Sequence, residues 1–458
     1  MTGSPQPGLS MTPLFKVLYR LYRFSSGGWY WAQRRFTRTG LVVLGAFVLA
    51  ALLAPDTDNN VIYQALPLLL FLLAVAVCWG RWFKARFAAT RRLPKFGTAG
   101  CALNYRIGVK NLSAKPHSGL TLLENLADPR PSFEDFVARE RAEQRALRSF
   151  RFSDSQHITP FRLATVKEAT VPSIAPNEEV EARVELTPLR RGVLRFTGVT
   201  LARPDPLGLF RAVTTVPLPQ TVLILPRRYP LPAIPLPGTV KYQEGGVALA
   251  ASVGQSEEYV ALRDYRHGDP LRHIHWRSWA RVGRPVVKEF EDEFFVRHAL
   301  VLDTFTDHPH SEVFEEAVSV AASFACALPT QESLLDLLFV GPQSYCFTAG
   351  RGVAHVEQML EILASVRACS DQPFRALEHL VLSHIEVVSG CICVLVAWDE
   401  ERRGFIGKLK ALGVPVLVLV IVPPGQGQPL EAGPLRDEPD RFSVLEVGQI
   451  EAGLAKLK

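Results

Sequence analysis

The 458-residue chain contains no Cys-x-x-Cys pair. Its seven cysteines (Cys78, Cys101, Cys326, Cys346, Cys369, Cys391 and Cys393) are odd in number and lie mostly inside apolar runs. This spacing excludes a zinc ribbon, gives no disulfide framework and fits buried thiols in a reducing compartment. There is no Gly-x-x-x-x-Gly-Lys loop to cradle a nucleotide phosphate, and no evident nucleophile–base constellation. Acidic residues are absent between Met1 and Arg38, where Lys16, Arg20, Arg23, Arg34, Arg35 and Arg38 are all basic. The net charge of +6 is modest, so its distribution carries more information than its size.

What the chain does have is apolar surface: 48% hydrophobic residues and a mean hydropathy of +0.11. Gly40 to Ala54 is charge-free, and Val61 to Gly80 approaches the ~20 residues that cross a bilayer. Pro67 is tolerated inside such a span. The connection from Pro55 to Asn60 is short and acidic, and a second basic cluster follows (Arg81, Lys84, Arg86, Arg91, Arg92, Lys95). The positive-inside rule turns this into a transmembrane hairpin over residues 39–80, with both termini in the cytoplasm of an inner-membrane protein. Residues 1–38 read as a cytoplasmic amphipathic leader, with Leu14, Val17, Leu18, Leu21 and Tyr22 at helical spacing to face membrane lipid.

A chain of this length supports about two or three domains. Residues 98–226 carry short apolar or alternating runs (Ala102 to Val109, Leu120 to Leu123, Phe161 to Lys167, Val180 to Leu186, Val193 to Leu201, Thr221 to Leu225) between turn-rich stretches, the pattern of a β-sandwich. A charged helical insertion starts near Pro131 and Ser132. The turn at Arg190, Arg191 and Gly192, and the stretch Asp205-Pro206-Leu-Gly208-Leu-Phe210, have the character of tight sandwich corners. A proline-rich linker occupies residues 227–256. Across 294–458, strand-like runs (His298 to Asp303, Leu334 to Val340, Cys391 to Ala397, Val414 to Val422) alternate with helical patterns, and Tyr345 to Thr348 suits an edge strand. The expectation is a doubly wound, Rossmann-type α/β domain.

Residues 257–293 concentrate charge and aromatic rings. Arg263, Arg266, Arg272, Arg277, Arg281, Arg284 and Lys288 stand among eight carboxylates, with Trp276, Trp279, Tyr259 and Tyr265. Near-equal signs argue against nucleic acid, which needs a net positive field, and for mutual pairing. His273 and His275, two apart, would share a strand face as metal ligands, with His267 or Asp269 as a third. Asp264 and Asp269 have the makings of an acid–base pair, although the cations around them hold both ionised. The expected role is an arginine–carboxylate–tryptophan network fixing the sandwich, linker and third domain, and offering partners a hot-spot surface.

The same residues carry a family likeness. Leu262-Arg263-Asp-Tyr265-Arg-His-Gly268-Asp269, Arg272-His-Ile274-His275-Trp276, Ala280-Arg281-Val-Gly283-Arg and Val287-Lys288-Glu-Phe290 resemble the hallmark of the bacterial domain of unknown function 58 family. Arg190-Arg191-Gly192 and the Asp205 to Phe210 stretch resemble its second signature. The resemblance implies that the last domain is von Willebrand A-like. In such a domain Asp303, Phe305 and Asp307 occupy the positions of a magnesium-binding Asp-x-Ser-x-Ser loop, with Asp399 as a further carboxylate. Phe305 has no oxygen to offer, so the loop is degenerate. It further implies a non-catalytic adaptor working beside a MoxR-type AAA+ ATPase, with other A-domain and transglutaminase-like proteins nearby. The competing reading is a metal-dependent hydrolase of an envelope substrate built on Asp264, Asp269, His273 and His275.

Overall fold

A computed structural model describes residues 12–53, 60–81, 85–128, 163–232, 261–269, 271–289, 296–306, 311–327, 333–349, 353–425 and 430–457, with single positions between them. The chain divides into two compact units, Met1–Leu225 and Pro226–Lys458. The helical insertion expected from Pro131 lies almost wholly outside the described residues, as do linker residues 233–256.

In the first unit, helices α1 (Thr12–Arg35), α2 (Arg38–Leu53) and α3 (Asn60–Gly80) precede strands β1 (Phe87–Arg92), β2 (Phe96–Thr98), β3 (Leu103–Asn111), β4 (Leu120–Leu126), β5 (Ala164–Val166), β6 (Ala169–Val171), β7 (Glu179–Pro188), β8 (Gly192–Pro204) and β9 (Arg211–Leu225). The strands form two sheets, β1-β3-β7-β5 and β2-β9-β8-β4-β6. Alternation along β3 and β7 turns Tyr105, Ile107, Val109, Val184 and Leu186 inward, where they share one core with Leu120, Leu122, Phe196, Leu201 and Ile224 of the other sheet. Where β8 and β9 shift register between Phe196 and Gly198, Arg91 of β1 reaches in. Its guanidinium binds Glu124 at 2.7 and 3.1 Å and the Gly198 carbonyl at 3.2 Å, and lies 4.5 Å from the Phe196 ring centroid. Tyr105 donates its hydroxyl to Glu124 at 2.7 Å.

Among the described residues no helix is long and apolar enough to cross a membrane. This overturns the two-span hairpin over residues 39–80 and the inner-membrane placement with both termini cytoplasmic. The fold is instead a mixed α/β fold with several sheets. Helix α2 has 16 residues, about 24 Å at 1.5 Å per residue, against ~30 Å of hydrocarbon. Part of the apolar surface is used inside the unit: Leu73 and Ala76 of α3 are buried with Phe36, Leu209 and Phe210, and Leu41, Leu44 and Phe47 of α2 pack around them. The charges counted as basic flanks are partly structural, since Arg91 is buried on Glu124 and Arg34 donates to the Glu124 carbonyl.

The second unit opens with the start of the proline-rich stretch lying on the α/β domain. Tyr229 donates its N–H to Ser323 at 2.8 Å and its hydroxyl to Glu316 at 2.6 Å. Next come β10 (Ala261–Asp264), α4 (Trp276–Val282) and β11 (Val286–Glu289). The α/β part follows with β12 (Val296–Leu302), α5 (Glu312–Ala327), β13 (Ser333–Val340), β14 (Ser344–Ala349), α6 (Val353–Ser365), α7 (Arg375–Leu382), β15 (Gly390–Leu395), α8 (Glu400–Ala411), β16 (Val416–Val422), β17 (Phe442–Glu446) and α9 (Ile450–Leu454). Its sheet runs β14-β13-β12-β15-β16-β17, parallel except for the antiparallel edge strand β14. β15 and β16 are buried at every position, which their unbroken apolar sequences require of strands covered on both faces. The strand order reverses between β12 and β15, so the carboxyl ends of those two strands mark the switch point of the sheet.

Candidate functional site

The segment from Ala261 to Glu289 builds a small platform. β10 and β11 pair antiparallel, with Leu262 opposite Lys288, Arg263 opposite Val287 and Asp264 opposite Val286. Ile274 bridges to Val287, and among the described residues of the segment Ile274, Val286 and Val287 are the buried apolar ones. Local hydrogen bonds fix the rest: Tyr265 N–H to the Pro285 carbonyl at 3.0 Å, and His275 N–H to the Val286 carbonyl at 2.9 Å. Helix α4 ends at Gly283, whose φ of +74° lets its N–H turn back onto the Trp279 carbonyl, a geometry that a β-carbon would strain.

Within this platform Arg263 grips Asp269 at 2.7 and 2.8 Å across the turn through Gly268, and the Arg266 N–H adds a third bond at 2.8 Å. The Arg263 hydrogen bonds, followed by that N–H, pull the Asp269 carboxyl down to about 2. Such a carboxylate is a poor proton donor near neutral pH. Asp264 turns to Arg284 instead, at 3.1 Å on the exposed surface. The two aspartates therefore form separate ion pairs rather than an acid–base couple.

The histidines do not share a strand face: His273 ends a 3₁₀ turn from Leu271, and His275 immediately precedes α4. His275 Nδ1 lies 2.7 Å from the Ser278 hydroxyl, a contact within one helical turn that the sequence reading missed. Among the described residues no three His, Cys, Asp or Glu side chains gather in a way that could hold a metal ion.

Of the aromatic residues, Trp276 faces outward, while Trp279 and Tyr265 are half-buried. Trp276 is 63% exposed and stacks on Trp279, with ring centroids 5.1 Å apart at 19°. Arg277 and Arg281, one turn apart on the neighbouring stripe of α4, are both exposed, as are Leu271, Ala280 and Val282. Arg272 falls within the 3₁₀ turn, while Phe290 lies outside the described residues.

The second signature divides between two places in the first unit. Arg190 and Arg191 form the bend into β8, which Gly192 opens opposite Ile224 of β9. The buried Asp205 organises the other turn: its carboxylate accepts from the N–H groups of Leu207 at 3.1 Å, Leu209 at 2.6 Å and Phe210 at 2.7 Å. That turn, with Pro206 and Gly208 between, presents Phe210 to Phe36 and the Gly208 carbonyl to the hydroxyls of Thr37 and Thr39.

The third cluster sits at the switch point of the α/β sheet. Asp303, at the end of β12, is fully buried. It accepts from the N–H groups of Phe305 at 3.0 Å and Val396 at 3.1 Å, and from Arg402 Nε at 2.6 Å. Arg402 also binds the Asp399 carboxylate and donates to the Phe305 carbonyl at 3.1 Å, its guanidinium carbon 4.9 Å from the Phe374 ring centroid. Asp399 meanwhile caps α8 through the Arg402 N–H. Burial pushes the Asp303 carboxyl up while Arg402 pulls it back; the two carboxylates outweigh burial at Arg402 and raise its pKa. Asp307 lies outside the described residues. Arg402 gave no signal in the sequence, because its partner Asp303 is 99 positions away.

Residues 261–420 match the family model described as "Protein of unknown function DUF58". The "Uncharacterized protein YeaD" of Bacillus subtilis (strain 168) is 28% identical over 193 residues, 41% of this chain and 46% of that protein, so the chain spans about half the length of this curated relative. Among solved structures, the CARDB domain of PF1109 from Pyrococcus furiosus is 14% identical over 31% of this chain and 94% of that one, with a TM-score of 0.16. The ASH / PapD-like domain of human CEP192 is 7% identical over 30% of this chain and 84% of that one, with a TM-score of 0.18.

Proposed function

The chain belongs to the DUF58 family through residues 261–420, and from that premise we propose that it is a non-catalytic adaptor that docks a protein partner on helix α4. The observation that carries this reading is the exposed Trp276, stacked on the half-buried Trp279. An indole left in water carries apolar surface that a partner would bury, and Trp and Arg dominate binding hot spots. Arg277 and Arg281 make no ion pair among the described residues, so the surface suits a partner with carboxylates at its rim. A MoxR-type AAA+ ATPase is the partner class that the family resemblance points to. The hydrolase reading lacks support from the geometry, since Asp269 is committed to Arg263 and Asp264 to Arg284.

The test is titration of the purified protein with the MoxR-type ATPase of the same cell, followed by tryptophan fluorescence or calorimetry. Trp276→Ala/Trp279→Ala is expected to weaken binding at least tenfold, about 1.4 kcal/mol, without lowering the melting temperature. Rising salt should weaken the wild-type complex, and less so Arg277→Gln/Arg281→Gln. Equal affinity of wild type and the double tryptophan variant would sink the docking role of α4, and no binding by either would remove this partner.

A further inference from the structure

The switch point of a doubly wound sheet is where such domains hold ligands, outside the carboxyl ends of the strands. Here a buried and a half-exposed carboxylate converge there from β12 and the start of α8, an arrangement that hard divalent cations favour. The position between them is filled by the chain itself. Arg402 places Nε on Asp303, Nη1 on Asp399 and Nη2 on the Phe305 carbonyl, so all three guanidinium nitrogens are used. The side chain is 7% exposed and lies over the Phe374 ring. Phe305 offers only its main chain, so no further side-chain oxygen comes from that loop position. With Arg402 in place the residues do not fit a magnesium ion: the guanidinium fills the space between the two carboxylates, and the Asp303 oxygens are taken by Arg402 and two main-chain N–H groups.

We propose that Arg402 is a tethered cation that replaces a divalent metal at the switch point, tying α8 to the end of β12, and that removing it converts Asp303 and Asp399 into a divalent-cation site. The proposal is independent of partner docking on α4. Its consequence is an α/β domain whose structure does not respond to chelators or to magnesium.

The experiment uses the full chain with magnesium and manganese chloride as probes. Calorimetry on the wild type is expected to show no site that depends on Asp303, and the melting temperature should be equal in EDTA and in millimolar magnesium. Arg402→Ala should melt lower than wild type, and manganese should raise its melting temperature by several degrees in a saturable way, as binding to the native state alone requires. That response should vanish in Asp303→Asn/Arg402→Ala. Should Arg402→Ala fail to fold without metal, refolding in manganese is the readout, and recovery of the melting transition supports the proposal. Two results overturn it: magnesium binding to the wild type that Asp303→Asn abolishes, or an Arg402→Ala protein that neither responds to manganese nor refolds in it.

Discussion

A carboxylate taken out of water needs several donors at once. Glu124 is the first case: Arg91 and Tyr105 hold it, and the Arg91 and Glu124 side chains are both 0% exposed. Burial pushes the Glu124 carboxyl up against the pull of those hydrogen bonds. Arg91→Met is expected to destabilise the protein by about 3–5 kcal/mol in denaturant unfolding, because it strands a buried charge. Arg91→Met/Glu124→Leu should recover most of that loss, since an apolar pair of similar volume needs no partner. Asp269 is the surface counterpart, and its pKa of about 2 can be read directly by carbon NMR of the carboxyl. Its folded value lies below the ordinary ~3.9, so its contribution to the platform is complete above that pH and is lost as pH falls through about 2. Arg263→Gln should move the midpoint up towards ~3.9, and an unchanged midpoint would show that Arg263 does not hold the carboxylate.

At the scale of elements, the Asp205 turn and α2 are fitted to one another. A β-carbon added to Gly40 would lie 1.9 Å from the Leu209 carbonyl oxygen, whereas one on Gly45 meets nothing within 4 Å. Gly40→Ala should therefore destabilise by about 1–3 kcal/mol through overpacking, and Gly45→Ala should stabilise by roughly 0.5–1 kcal/mol through helix propensity. Thermal melts of the pair check both signs. The sequence pattern located these elements unevenly. Buried strands such as β16 announce themselves as unbroken apolar runs, and α5 is bracketed by Ser311 and Pro329. β1 was hidden among arginines, because nothing local says that Arg91 points inward to a glutamate 33 positions on. The buried positions of the apolar helices were hidden for the same reason, since Leu73 and Ala76 are covered by Leu209 and Phe210, far along the chain.

For the whole molecule, two units with separate cores predict unfolding that is not two-state. Ile107→Ala, at 0% exposure in the sandwich, should lower one calorimetric transition by about 2–5 kcal/mol of stability. Val418→Ala, equally buried in the α/β sheet, should lower the other. A single transition shifted by both would count against independent units. The Trp-and-Arg platform was visible in the sequence because its chemistry is local, from Arg263 to Lys288. The Arg402 lock was not, because a switch point exists only once β12 and β15 lie side by side.

The contact between Thr37 and Gly208 joins residues 171 positions apart. On a ribosome adding ~5–20 residues per second, Gly40, Leu73 and Ala76 wait on the order of ten seconds for the turn that buries them. Slowed synthesis is therefore expected to lengthen the time those positions stand open to holdase chaperones, which pull-down of ribosome-bound chains shorter than 208 residues would read.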